Sequence, residues 1–277
     1  MAEVFEWAGA MGREWARNQA ALDRQLAPAG DAGLRALAPR AGERVLDLGC
    51  GAGATTAGIV GAVGPRGAVT AIDISPDLLA LARARPGCEG VTFIEGDAAA
   101  APLPEAAFDA LFSRFGCMFF AEPVPAFANL RRAMRPGGRA VLVAWREMAL
   151  NPWAAIPAAA GAELLGPAES VAPGTPGPFA WAEPEVFRPI LENAGFTGVA
   201  WQEEKITLTI GEAGEAEPAA RAAAVLTRIG PLARRLRGQP DPLREAACQR
   251  LKPLLAPFVR DGWVRMPASI WLIRARA

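Results

Sequence analysis

Histidine and tyrosine are both absent from the 277 residues. Their absence excludes a Ser-His-Asp triad, a histidine general base and a histidine metal site. Chemistry is left to carboxylates, thiols, backbone dipoles or the positioning of reactants. Cysteine is sparse, at Cys50, Cys88, Cys117 and Cys248, with no C-x-x-C spacing. Neither a zinc site nor a disulfide framework is expected, and reduced thiols in a cytoplasmic protein are the simple reading. Net charge is also missing, because 29 Lys+Arg balance 29 Asp+Glu. A neutral chain has no long-range attraction for nucleic acid or an anionic membrane surface. Arg234, Arg235 and Arg237 form the one evident basic cluster and read as a solvated helix end. No apolar run is long enough to cross a bilayer, and the opening MAEVFEWAGAMGREW lacks a charged-then-apolar signal pattern. The expected partner is a small molecule, with no metal, nucleic acid or membrane.

What the chain does have is an α/β rhythm. Met11, Trp15, Leu22 and Leu26 recur at helical spacing, and Pro28 is expected to end that helix. A short helix over residues 31–37 follows. Apolar strands are then expected at 44–48, 68–72, 91–94, 108–112 and 139–145, with helices at 54–63, 75–84 and 125–134 between them. Ser75 and Pro76 suit an N-cap and a first helical position. Alternation of this kind argues for a mostly parallel sheet with helices on both faces. After Trp145 the rhythm stops. A helical piece at 154–165, a helix at 183–194, a strand at 197–202 extending to 210, two helices within 215–261 and a last strand at 268–276 are expected. The domain reading is an N-terminal helical lid over 1–40 and a core over 41–277, with helical insertions at 147–182 and 212–262.

The stretch VLDLGCGAGATT, residues 45–56, carries the chemistry. A strand enters a turn containing Gly49, Gly51 and Gly53, and a helix follows. Glycines let backbone approach a ligand closely, and a helix N-terminus favours an anionic group such as a pyrophosphate or a carboxylate. Gly49, Gly51 and Ala54 also satisfy the dinucleotide pattern G-x-G-x-x-G/A, with Asp73 at a plausible distance for a ribose acid. Three carboxylates bear on the choice. Asp47, two residues before the first glycine, suits a cationic ligand part and opposes a pyrophosphate. Asp73 ends the second strand, where both oxygens can accept from ribose hydroxyls. Asp97 ends the third strand, placed to accept from an adenine amino group.

Asp47-x-Gly49-x-Gly51-x-Gly53, Asp73, Gly96-Asp97-Ala98 and Arg135-Pro136-Gly137-Gly138 together resemble the class I S-adenosylmethionine-dependent methyltransferases over about residues 44–146. Trp15-Ala16-Arg17-Asn18-Gln19 and Ser113-Arg114-Phe115-Gly116 resemble a bacterial branch acting on small molecules. The resemblance implies a Rossmann-like, seven-stranded, mostly parallel sheet whose last strand is antiparallel. It implies S-adenosylmethionine as cofactor and S-adenosylhomocysteine as product. Gly49, Cys50, Gly51 and Gly53 would line the methionine end, and Asp47 would hold the ammonium directly or through water. Asp73 would take the ribose, Ile74 would pack near the adenine, and Asp97 with Ala98 would take the adenine edge. Ser113 and Arg114 would lie beside the sulfonium, and Trp15, Asn18 and Gln19 would close over the cofactor.

For the acceptor, Arg114, Phe115, Met118, Phe119 and Trp153 are the candidate pocket residues. Arg114 suits either a structural acid or a substrate carboxylate. Cys50 and Cys117 read as packing residues. The implied reaction is in-line methyl transfer to a small, partly apolar acceptor, such as a secondary metabolite, driven by proximity and desolvation. A nicotinamide-dependent oxidoreductase and a cofactor-binding protein without methyl transfer stand as the alternatives.

Overall fold

The computed structural model describes residues 6–168 and 170–277; the first five residues of the expected lid lie outside the described residues. The strands are β1 (Arg44–Leu48), β2 (Ala68–Asp73), β3 (Thr92–Glu95), β4 (Phe108–Arg114), β5 (Met134–Trp145), β6 (Thr197–Ile210), β7 (Val259–Arg260) and β8 (Trp263–Arg276). They form one sheet in the order β3-β2-β1-β4-β5-β8-β6, with the two-residue β7 paired to β8 at the side. The first five strands run parallel, and β8 enters antiparallel between β5 and β6. The expected mostly parallel sheet with an antiparallel last strand is therefore present. Strand order reverses at β1 and β4, the switch point outside whose carboxyl ends ligands bind in open α/β sheets.

Helices α1 (Ala10–Arg17), α2 (Gln19–Leu37), α3 (Ala54–Val63), α4 (Pro76–Arg83) and α5 (Pro123–Ala133) belong to the first half. Then come α6 (Pro152–Leu165), α7 (Pro184–Asn193), α8 (Pro218–Leu226), α9 (Pro231–Leu236) and α10 (Asp241–Leu255). Six of them, from α4 to α9, open on a proline. The fixed φ of proline suits the first helical turn, where its missing N–H would have no partner anyway. Helix α2 packs beside α3 and across β4, β5 and β6, while α5 and α7 pack on each other and on β5 and β6. The core between these layers is closed by Phe108, Phe112, Phe127 and Phe187, all fully buried.

Three expectations change. Pro28 does not end a helix; it lies inside α2, which runs unbroken to Leu37. An interior proline costs about 3 kcal/mol locally. Here the helix gains a close seat on the sheet: a Cβ on Gly33 would lie 2.6 Å from Val143 and 2.9 Å from Phe112. Ala29 and Ala32 are buried in the same stripe, so packing outweighs the local cost. Consequently α2 is a sheet-covering helix rather than part of a lid, and the lid candidate shrinks to α1, which packs on α4. The second insertion holds three helices, not two, because Gly230 at φ +103° turns the chain before Pro231. Strand β5 begins at Met134, which pairs with Phe108, and a register shift absorbs Pro136-Gly137-Gly138. The two insertions meet: α6 packs on α9 and α10, and α8 packs on α10 and β8.

Candidate active site

A cavity of about 160 Å³ opens at the carboxyl ends of β1, β2, β3 and β4. Gly49, Cys50 and Gly51 form one wall, Asp73 and Ile74 another, and Asp97 with Ala98 a third. Arg114, Phe115 and Phe119 close it from β4, and Trp15 and Gln19 from the N-terminal helices. These sequence-expected residues do come together.

The backbone of the glycine turn explains the shape. Gly49 and Cys50 donate their N–H groups to the carbonyl of Ile72, at 2.8 and 3.1 Å, and Gly51 donates to the Asp73 carboxylate at 2.8 Å. The turn is thus stitched to β2, and these three amides are not free to bind an anion. The glycines serve close approach instead. A Cβ on Gly49, at φ +65°, would stand 2.8 Å from the Gly116 Cα, where the β1 and β4 ends nearly touch. Gly51, at φ +54°, faces open space on the cavity side.

The second oxygen of Asp73 accepts from Ser75 N–H at 2.9 Å. Burial pushes the Asp73 carboxyl up, and the bonds from Ser75 and Gly51 oppose that rise. Asp97 accepts from its neighbour Ala99 N–H at 2.9 Å, and Gly96 donates to the Asp73 carbonyl, so the β2 and β3 ends are tied. Cys50 is held as a neutral thiol by burial and by the nearby carboxylates of Asp73 and Asp47, which makes it a wall residue rather than a nucleophile.

Several expected site residues lie elsewhere. Asp47 is wholly buried beneath the turn, accepting from the Thr56 hydroxyl at 2.7 Å and the Thr55 hydroxyl at 3.4 Å. It does not line the cavity, so direct contact with a ligand ammonium is ruled out by its position. Burial raises its pKa to about 6, and one of its oxygens has no hydrogen-bond partner. Gly53 packs instead against Ala82 and Cys88. Ser113 is buried and donates to the Leu48 carbonyl at 2.9 Å, tying β4 to β1. Asn18 turns its amide back to Glu14 in the break between α1 and α2. Met118 is a core residue. Trp153 continues an internal aromatic stack, Phe115 on Trp145 at 4.2 Å and Trp145 by Trp153 at 4.8 Å. That stack holds Phe115 in a left-handed conformation, φ +69°, which a bulky side chain adopts only where its surroundings enforce it.

Sequence reasoning missed Asp23, Arg85 and Trp7. Asp23 lines the cavity and receives bonds from Gln19 and, at 2.6 Å, from Arg85. Arg85 also donates to the Ala52 carbonyl, so one guanidinium clasps α2 to the glycine turn. The spacing 19, 22, 23, 26 along α2 was the available signal. Trp7 packs edge-on against Trp15 and Phe119, each at 5.1 Å. Among the described residues, the lining therefore holds three carboxylates, Asp23, Asp73 and Asp97, and a single guanidinium, Arg114. Arg114 makes one bond, to the Leu26 carbonyl at 3.4 Å. Burial pulls its pKa down, and the Asp23 and Asp47 carboxylates oppose that. The electrostatics suit a cationic ligand better than a pyrophosphate.

A second, larger cavity of about 1010 Å³ adjoins the first and shares Trp7, Trp15 and Phe119 with it. Its walls come from α1, the 171–183 segment and the second insertion.

The sheet order, the switch-point cavity and the glycine turn define a Rossmann-like nucleotide-binding class. Residues 46–142 match the methyltransferase domain family. A demethylmenaquinone methyltransferase from Clavibacter sepedonicus is 40% identical over 110 residues, 39% of this chain and 43% of that one. The chain spans less than half the length of the first curated relatives it matches. The YcgJ protein of Bacillus subtilis shares the fold, with a TM-score of 0.56 at 17% identity over 90% of this chain and 97% of that one. The [4+2]-cyclase SpnF shares it too, with a TM-score of 0.51 at 21% identity over 89% and 78%. Among the described residues, no helix is long and apolar enough to cross a membrane.

Proposed function

We propose that this chain transfers the methyl group of S-adenosylmethionine to a small, partly apolar acceptor. The observation that carries the reading is the acid-rich cavity at the switch point, with Asp73 and Asp97 at adjacent strand ends opposite an open glycine turn. When bound, S-adenosylmethionine supplies an activated methyl group on a sulfonium.

The chain's own part is binding, orientation and exclusion of water. Each Asp73 oxygen keeps a second lone pair for a ribose hydroxyl while its first holds a backbone amide. Asp97 offers the adenine amino group the oxygen that Ala99 leaves unused. Gly51 lets the methionine portion lie against backbone. Arg114 has donors to spare for a carboxylate. The ring cluster of Trp7, Trp15 and Phe119 stands between the two cavities, where it keeps water from the point of transfer. α1, which carries Trp15, is the closing element. With no histidine to act as base, the reaction relies on an acceptor that is already acidic and on alignment, which supplies roughly 7–11 kcal/mol in favourable systems.

The test is calorimetric titration with S-adenosylhomocysteine, NADH and NADPH. One-site binding of S-adenosylhomocysteine alone, lost in Asp73→Ala, is expected. Binding of a nicotinamide nucleotide instead overturns the reading. The cyclase with the same fold favours a second reading, a cofactor-binding protein with another reaction. S-adenosylhomocysteine binding without methyl transfer to any of a broad panel of phenols, carboxylic acids and amines selects it.

A further inference from the structure

The two adjoining cavities carry opposite charge. Among the described residues, the smaller is lined by three carboxylates, of which Asp23 is paired with Arg85, and one guanidinium. Among the described residues, the larger is lined by seven arginines and two glutamates. Some of these arginines are neutralised: Arg17 by Glu14, Arg228 by Glu212 and Arg237 by Glu6. Others are not. Arg235 is held by the backbone carbonyls of Leu165, at 3.2 Å, and Gly166, at 2.7 Å, at the end of α6. Arg244 is held by the Thr227 carbonyl at 2.5 Å. Carbonyls fix a guanidinium in place without cancelling its charge. The side chain of Arg13, exposed on α1, makes no hydrogen bond or ion pair among the described residues. Arg234 and Arg237 are exposed at the end of α9, as the sequence suggested, and the same stretch lines this cavity.

Between these cations the lining is apolar, with Val171, Phe179, Ile229 and several prolines and alanines. At about 1010 Å³, the space is of the size that encloses a small organic molecule.

We infer that the larger cavity is the acceptor seat and that it selects an amphiphilic organic anion, an apolar body bearing a carboxylate, sulfonate or phosphate. Arg13, Arg235 and Arg244 bind the anionic head, and the Trp7–Trp15–Phe119 neck directs the far end of the apolar body, which carries a separate methyl-accepting group, to the smaller cavity. The assignment of this space to an acceptor rests on the methyl-transfer reading; the charge selectivity does not. An acidic site for the cationic donor beside an anion-selective acceptor site also separates the two ligands, since each is repelled from the other's cavity.

The test uses the full chain saturated with S-adenosylhomocysteine and two fluorescent probes of the same ring system. Anilinonaphthalene sulfonate carries an anion, and phenylnaphthylamine does not. The sulfonate should bind about tenfold tighter than the amine, as one charge-assisted hydrogen bond predicts. Arg235→Gln should remove about that tenfold preference. Arg13→Gln, which removes no hydrogen bond or ion pair among the described residues, should reduce it about threefold and leave amine binding unchanged. Equal affinity of the two probes for the unmodified protein overturns the inference, as does an Arg13→Gln variant with the preference intact. The S-adenosylhomocysteine titration reports separately on the smaller cavity. Its failure would strike the cofactor reading alone, because the probe comparison can be repeated without that ligand.

Discussion

Two alanine substitutions in the glycine turn separate backbone strain from packing. Gly49 and Gly51 both have positive φ, +65° and +54°, so either alanine carries the left-handed penalty, about 1–2 kcal/mol. Only at Gly49 does the new methyl meet backbone, standing 2.8 Å from the Gly116 Cα, whereas at Gly51 nothing lies within 4 Å. Overpacking against backbone adds roughly 1–3 kcal/mol. Gly49→Ala should therefore be less stable than Gly51→Ala by about 1–3 kcal/mol, read from urea unfolding midpoints at constant slope. The ligand effects should divide the other way. Gly51→Ala projects its methyl into the cavity, so it should keep most stability and lose most S-adenosylhomocysteine affinity in calorimetry. Equal stabilities, or a Gly51→Ala variant that binds as well as the unmodified protein, would refute the argument that the β1–β4 approach and the ligand wall are made by different glycines.

Two further predictions concern buried carboxylates. Asp47 has its pKa raised to about 6 by burial. The unfolded chain therefore loses this proton first, and stability falls as pH rises from about 4 to about 6, by roughly 3 kcal/mol in all. Asp47→Asn should lack that share of the slope in urea unfolding across this window, while Asp73, raised in the same direction, contributes alike to both proteins. Identical slopes would show that Asp47 does not titrate there. Glu43 is shifted the opposite way, held down first by its bond from Arg139, and the pair is bidentate at 2.7 Å on both arms. Its stabilisation is present above the usual carboxylate range and is lost as pH falls through the lowered pKa. A double-mutant cycle with Glu43→Gln and Arg139→Met should give a coupling of about 1–3 kcal/mol at neutral pH, shrinking as the carboxylate protonates. A coupling independent of pH would mean that packing, not charge, joins the two.

Much of the core was legible because its signals are local. The strand-ending acids Asp73 and Asp97 and the glycine turn are set by a few consecutive residues, and the period-two and helical patterns around them fix which face is apolar. The N-capping Ser75 and the helix-opening prolines act within one turn. The errors have a common cause. Pro28 was misread because the seat that offsets its cost is made by Val143 and Phe112, both far beyond any local window in the sequence. Asp47 fits a ligand-binding pattern by spacing, yet its direction along β1 puts the carboxylate under the turn rather than in the cavity. Met118 and Trp153 have the composition of a pocket and the packing of a core.

The sequence by itself determined the α/β rhythm and the chemistry available, a set without histidine or tyrosine. It could do so because periodicity, capping and composition are properties of short segments. Only the tertiary structure decided which acids face a ligand, that Arg85 clasps Asp23 to the glycine turn, and that Arg13, Arg235 and Arg244 from distant segments line one space. Charges that are scattered and balanced along a neutral chain become two cavities of opposite sign only when folding brings them together, and Coulomb interactions depend on distance in space rather than separation in sequence.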